Sequence, residues 1–134
     1  MPIDSTPRLL IADDDSHELA AYLLFLETYG YEIRTAGDGA RALTEYCTWH
    51  PHAVVLDIQM PGMDGHAVAK EIRRLQPEVA TLLIAVTALS LPSDRADTIR
   101  SGFDHHLVKP VELPVLGAKL ARYFGTGAAF RQAD

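Results

Sequence analysis

The sequence predicts one α/β domain in which a parallel sheet is covered by helices on both faces. Short apolar runs rich in Val, Ile and Leu alternate with segments whose apolar residues recur at helical spacing. Parallel strands joined in this way need right-handed crossovers, and the crossovers supply the two helical layers. A length of 134 residues suits a single domain with a core of its own.

Arg8 to Ala12 (RLLIA) is the first strand, and Tyr31 to Ala36 the second. Ala53 to Leu56 (AVVL), Thr81 to Val86 (TLLIAV) and His105 to Val108 follow as the third, fourth and fifth. The first, third and fourth lack polar alternation, as expected of strands buried on both faces. Between them, Leu19, Leu23 and Leu26, then Leu43, Tyr46 and Cys47, then Val68, Ile72 and Leu75 mark the apolar faces of three helices. Asp15 or Ser16 starts the first of these and Gly30 closes it; Asp38 starts the second, and Asp64 the third, which ends ahead of Pro77. Pro92 to Arg100 is a short polar helix closed by Gly102. Leu113 to Phe124 is the last helix, with Pro114 tolerable in its first turn and Gly117 costing about 1 kcal/mol relative to Ala in its interior. The domain is expected to span residues 1–124, with 125–134 (GTGAAFRQAD) a tail or the start of a linker.

Composition narrows the function. The chain is 48% hydrophobic and 22% charged, in the globular range. Its net charge of −6 argues against direct nucleic-acid binding or attraction to anionic lipid. No apolar run approaches the roughly 20 residues of a membrane helix, and the N-terminus lacks the pattern of a signal peptide, so a cytoplasmic location is expected. Cys47 is the only cysteine, which excludes an internal disulfide and a thiolate metal cluster.

In an open parallel sheet, ligands collect at the carboxyl ends of the strands. Asp13 and Asp14 follow the first strand, Asp57 the third, Thr87 the fourth and Lys109 the fifth. Carboxylates crowded together repel unless a cation neutralises them, and an all-oxygen donor set suits Mg²⁺. Asp57 is then placed as a nucleophile toward a phosphoryl group, with Lys109 and Mg²⁺ neutralising the phosphoryl oxygens and Thr87 donating a hydrogen bond. Each residue has a plainer explanation. An Asp after a strand is usually a helix cap, which suffices for Asp15, Asp38 and Asp64. The six histidines (His17, His50, His52, His66, His105, His106) show no zinc spacing and are expected on the solvated surface. Tyr46 and Trp49 are expected to pack or lie half exposed, and Met60 and Met63 to pack within their loop.

These residues sit in four motifs: Ile11-Ala12-Asp13-Asp14-Asp15, the run from Val55 through Asp57 and Pro61 to Gly65, Val86-Thr87-Ala88, and Val108-Lys109-Pro110. From Arg8 to Phe124 the chain thereby resembles the receiver domains of two-component signalling. The resemblance implies a flavodoxin-like (βα)5 three-layer sandwich of strand order 2-1-3-4-5. It implies Mg²⁺ held by Asp14, Asp57 and the Gln59 backbone carbonyl, with Asp13 acting largely through water. It also implies phosphoryl transfer from a histidine kinase or histidine phosphotransfer protein, a cis Lys109-Pro110 peptide, and a phosphoryl-driven change across the fourth helix, fifth strand and fifth helix. That face would engage an output domain, a downstream protein or a second copy in a dimer. Such a module is not an enzyme in the ordinary sense, since it catalyses only its own phosphorylation and dephosphorylation.

Two features depart from the family pattern. Three residues before the lysine, where an aromatic commonly swings inward as Thr87 moves, stands His106. Gln59 and Leu89 flank the path of the hydrolytic water. Two rival functions are a pseudo-receiver that binds partners without phosphorylation and a haloacid-dehalogenase-like phosphatase. The first expects an acidic residue, the acceptor or the lysine to be missing, and none is. The second needs a second Asp two residues after the nucleophile, where Gln59 stands.

Overall fold

A computed structural model describes residues 6–125. Five strands and five helices alternate: β1 (Arg8–Ala12), α1 (Ser16–Leu26), β2 (Glu32–Ala36), α2 (Gly39–Trp49), β3 (Ala53–Asp57), α3 (Gly65–Leu75), β4 (Leu82–Thr87), α4 (Pro92–Arg100), β5 (His105–Val108) and α5 (Leu113–Phe124). The strands form one parallel sheet of order β2-β1-β3-β4-β5. This is the expected fold and order. The expected tail lies outside the described residues except for Gly125, whose left-handed backbone (φ 67°) caps α5.

The register sets up the functional edge. Ala12 aligns with Leu56, Asp57 with Val86, and Thr87 with Val108. The ladder then continues one step beyond the strands, with Ile58 N–H donating to Val86 O (3.1 Å) and Lys109 N–H to Thr87 O (2.8 Å). Asp57 and Thr87 are thus the last residues of their strands rather than the first residues after them; Asp13 and Asp57 end level with each other, with Thr87 one residue and Lys109 two residues further along the same edge.

The central strands are buried throughout, as their apolar runs require. Alternate residues feed two cores. Leu10, Val54, Leu56, Leu83 and Ala85 pack with Tyr46, Val68, Ile72 and Phe103 on one side of the sheet. Leu9, Ile11, Val55, Ile84 and Val86 pack with Tyr22, Leu26, Leu116, Leu120 and Phe124 on the other. At about 25 cal/mol per Å² of apolar surface buried, this two-sided burial is the main stabilising force. The helix faces differ from expectation in detail. Cys47 is exposed, α2 burying Ala42 and Tyr46 instead, and Leu75 is largely exposed while Ala69 is buried beside Val68 and Ile72.

Asp15, Asp38 and Asp64 are the helix caps expected, accepting from Glu18, Arg41 and Ala67 N–H respectively. Gly117 has a packing reason that helix propensity does not show. A Cβ there would lie 2.2 Å from Tyr29 Oη and 2.7 Å from Tyr29 Cζ, so the α5 backbone is pressed against that ring. Trp49 is half-buried with the Arg34 guanidinium over its ring at 4.7 Å, and Met60 is buried in the loop after β3.

Candidate functional site

Asp13 follows the last residue of β1, turned into the sheet edge by its own loop: its backbone N–H donates to Ala36 O, and its Oδ1 accepts from Asp15 N–H at 2.9 Å. Asp14, the next residue, is exposed. Asp57 ends β3, where Oδ1 accepts from Gln59 N–H at 3.1 Å and so pins the start of the following loop. That loop is drawn tightly back, since Gly65 N–H donates to Ile58 O and a Cβ on Gly65 would lie 2.7 Å from Asp57 O. Only glycine lets α3 begin so close to the acceptor strand.

Carboxylate oxygens of Asp13, Asp14 and Asp57 lie within 4.8 Å of one another. Lys109 reaches over them from the end of β5, its Nζ 3.3 Å from Asp57 Oδ2 and 3.6 Å from Asp13 Oδ2. The Lys109-Pro110 peptide is cis, as the resemblance implied. Burial pushes the Asp13 carboxyl up to about 7, with its contact to Glu18 and the charge of Asp57 adding to the effect and Asp15 N–H and Lys109 opposing it. Burial also raises Asp57, against the pull of Lys109 and Gln59 N–H. Burial disfavours the Lys109 charge, but Glu18, Asp13 and Asp57 outweigh it and hold the ammonium above its ordinary value. The cluster therefore carries more negative charge than its single ammonium neutralises.

Thr87 is buried at the end of β4, its Oγ1 accepting from Leu89 N–H at 3.1 Å, and Gln59 is exposed. His106 departs from the expected solvated surface. It is only 6% exposed, with Nδ1 2.9 Å from Thr98 Oγ1 and Nε2 3.0 Å from Leu89 O. Because a carbonyl only accepts, Nε2 carries a proton. The imidazole can be buried here because both nitrogens find partners, which meets the cost of removing them from water. His52 and His66 are also half-buried, Nδ1 of the first accepting from Arg8 N–H at 2.9 Å and Nδ1 of the second 2.7 Å from Ser101 Oγ. His17 and His50 are exposed as expected.

Sequence reasoning missed Glu18, in the first turn of α1. Its Oε1 lies 2.8 Å from Lys109 Nζ, closer than either aspartate. An acid at that helix position is ordinarily explained by the helix dipole, which hides its approach to the site.

Five parallel strands in this order, with an acidic cluster and a lysine at their carboxyl ends, set the frame for comparison. The family model of the response regulator receiver domain matches residues 9–121. The chain belongs to this family. It is 40% identical over 116 residues to the transcriptional regulatory protein PrrA of Mycobacterium leprae, covering 87% of this chain and 49% of that protein. The receiver domain thus spans about half the length of the curated relatives it matches. A CheY-like response regulator receiver domain protein from Methanospirillum hungatei superposes with TM-score 0.83 at 26% identity, covering 92% of this chain and 98% of that one. The BeF3-activated receiver domain of DrrB, a Thermotoga maritima protein, gives 0.82 at 25% identity, covering 90% and 99%. The receiver domain is a two-component signalling module, and none of its helices among the described residues is long and apolar enough to cross a membrane.

Proposed function

We propose that this receiver domain accepts a phosphoryl group on Asp57 with Mg²⁺ bound beside it, and that the added charge changes which partner it engages. The observation that carries this is the buried Asp57 carboxylate, 3.3 Å from Lys109 and within metal-sharing distance of Asp13 and Asp14. The donor set fits a hard divalent cation: every side-chain donor is a carboxylate oxygen, and the buried Asp13 Oδ2 has no hydrogen-bond donor among the described residues. Asp13, Asp14, Asp57 and the Gln59 backbone carbonyl are the groups that would hold Mg²⁺. Bound there, it would supply neutralisation of the crowded carboxylates and of the phosphoryl oxygens.

Asp57 attacks phosphorus of a phosphohistidine. A P–O bond to Asp57 forms, the P–N bond breaks, and the departing imidazole keeps the electron pair and takes a proton from solvent. Gln59 N–H orients one carboxylate oxygen while Lys109 faces the other, so the nucleophile is aimed before the donor arrives. The product adds about −1.5 to −2 charge and three acceptor oxygens. Lys109 and the Thr87 hydroxyl then gain contacts absent before, and such differential contacts shift a two-state equilibrium. The Thr87 hydroxyl can donate to the phosphoryl group while its oxygen accepts from Leu89 N–H, and His106 holds the same residue through Leu89 O, so a movement of Thr87 carries loop, histidine and α4 with it.

The donor is a histidine kinase or histidine phosphotransfer protein, and the recipient of the signal is an output domain or separate protein contacting α4, β5 and α5, or a second copy. The phosphoacceptor unit is assigned to residues 1–124, cytoplasmic and without direct nucleic-acid contact, in keeping with its acidic charge. Incubation with acetyl phosphate and Mg²⁺ tests the reading. The mass of one phosphoryl group should be gained, with the gain lost on chelation and in Asp57→Ala. Labelling of Asp57→Ala at the wild-type rate, or none of the wild type, would overturn it.

A further inference from the structure

We propose that Glu18 is a positioning residue, which holds the Lys109 ammonium on the α1 side of the site until a phosphoryl group claims it. This deepens the phosphoacceptor reading and rests on it. Three carboxylates surround one ammonium, and the nearest belongs to Glu18: 2.8 Å, against 3.3 Å for Asp57 and 3.6 Å for Asp13. Glu18 Oε1 is itself buried, with the Lys109 ammonium and the Asp13 carboxyl its contacts among the described residues, although its side chain is 38% exposed. An acid serving only the helix dipole would leave both oxygens in water. Here one oxygen is turned inward to the lysine instead.

The placement has consequences of opposite sign for two ligands. An unopposed ammonium would settle between Asp57 and Asp13, where it competes by charge with a divalent cation. Glu18 offsets that charge and keeps the ammonium to one side, which favours Mg²⁺. When a phosphoryl group arrives, Lys109 must leave Glu18 to neutralise it, and Glu18 is left with a buried, unpaired oxygen, which disfavours the phosphorylated state.

Removing the Glu18 charge should therefore weaken Mg²⁺ and strengthen the phosphoryl mimic. In Glu18→Gln, the calorimetric Mg²⁺ Kd should rise about 3- to 10-fold, as for a partly buried pair. The beryllofluoride Kd at saturating Mg²⁺ should fall by about the same factor. Glu18→Asp, which keeps the charge on a shorter stem, should restore part of each. A metal-free arm uses the cycle of Glu18→Gln, Lys109→Met and the double variant, whose effects on the unfolding equilibrium constant should be non-additive by about 3-fold or more. An additive cycle, or Kd values that stay put or move in the same direction, overturns the proposal. If the wild type binds no Mg²⁺, the phosphoacceptor reading falls, and the cycle alone judges the Glu18–Lys109 pair.

Discussion

Replacing Asp13 by Asn should make the metal-free protein more stable, and increasingly so as pH rises. Asp13 is buried, and its carboxyl is displaced from 3.8 to about 7, first by burial, then by its contact with Glu18. A folded-state value above the unfolded one means that the protonated form is favoured by folding. The associated stability is fully present below pH 3.8 and is lost as pH climbs through about 7. The displacement is worth about 4 kcal/mol at full ionisation, and about 2 kcal/mol of it is already lost at pH 5. Asn keeps the acceptor that binds Asp15 N–H and carries no charge, so the variant escapes the loss. In chelator, Asp13→Asn should exceed the wild type by about 4 kcal/mol at pH 8 and about 2 kcal/mol at pH 5, as an upper bound. For a domain of this size that is a difference of about 10 °C or more in Tm at pH 8. Saturating Mg²⁺ should shrink the gap, since it stabilises the wild type by binding the folded state alone. Thermal scans at the two pH values decide the matter. A gain that is absent, or equal at pH 5 and pH 8, would refute the claim that an ionised Asp13 burdens the metal-free fold.

Gly117→Ala should lower stability by about 1–2 kcal/mol, because overpacking against Tyr29 outweighs the roughly 1 kcal/mol gained in helix propensity. In a Tyr29→Leu background the same change should become neutral or stabilising; denaturant titrations of the wild type and the three variants check this. His106→Phe keeps a ring but strips partners from Leu89 O and Thr98 Oγ1, and should cost about 1–2 kcal/mol and speed amide exchange in residues 88–98. Burial, with the Arg8 charge, holds His52 below the ordinary imidazole value, so its stability is present above pH 6.5 and lost as pH falls through the folded value. His52→Gln should flatten the stability profile between pH 7 and 5, measured by urea midpoints.

Fold and site were legible to different depths. Apolar runs and caps located all five βα units, because two-sided burial of a parallel sheet leaves a plain trace in Val54-Val55-Leu56 and Leu83 to Val86. Strand ends marked Asp13, Asp14, Asp57, Thr87 and Lys109, since register alone delivers them to one edge. Glu18 was invisible, as its approach depends on how α1 leaves β1. The buried histidines were equally hidden: His106 is tolerable inside only because Thr98 and Leu89, distant in sequence, present oxygens to both nitrogens. Helix faces were misjudged where long apolar residues drew attention from alanines, as with Leu75 beside Ala69.

Helix α4 buries only Thr98 along its length, and its attachment to the sheet and to α3 runs through Thr98 to His106 and through the capping Ser101 to His66. A segment seated on oxygen and nitrogen rather than hydrocarbon exposes little apolar area when it lifts. Its opening should then carry a small heat-capacity change and a denaturant dependence near zero, unlike global unfolding. Temperature and solvent that act on the hydrophobic cores would leave the seat of α4 almost untouched, while a change in hydrogen bonding at two histidines would act on it alone. The helix that forms part of the proposed partner surface is thereby joined to its domain by hydrogen bonds more than by the hydrophobic cores.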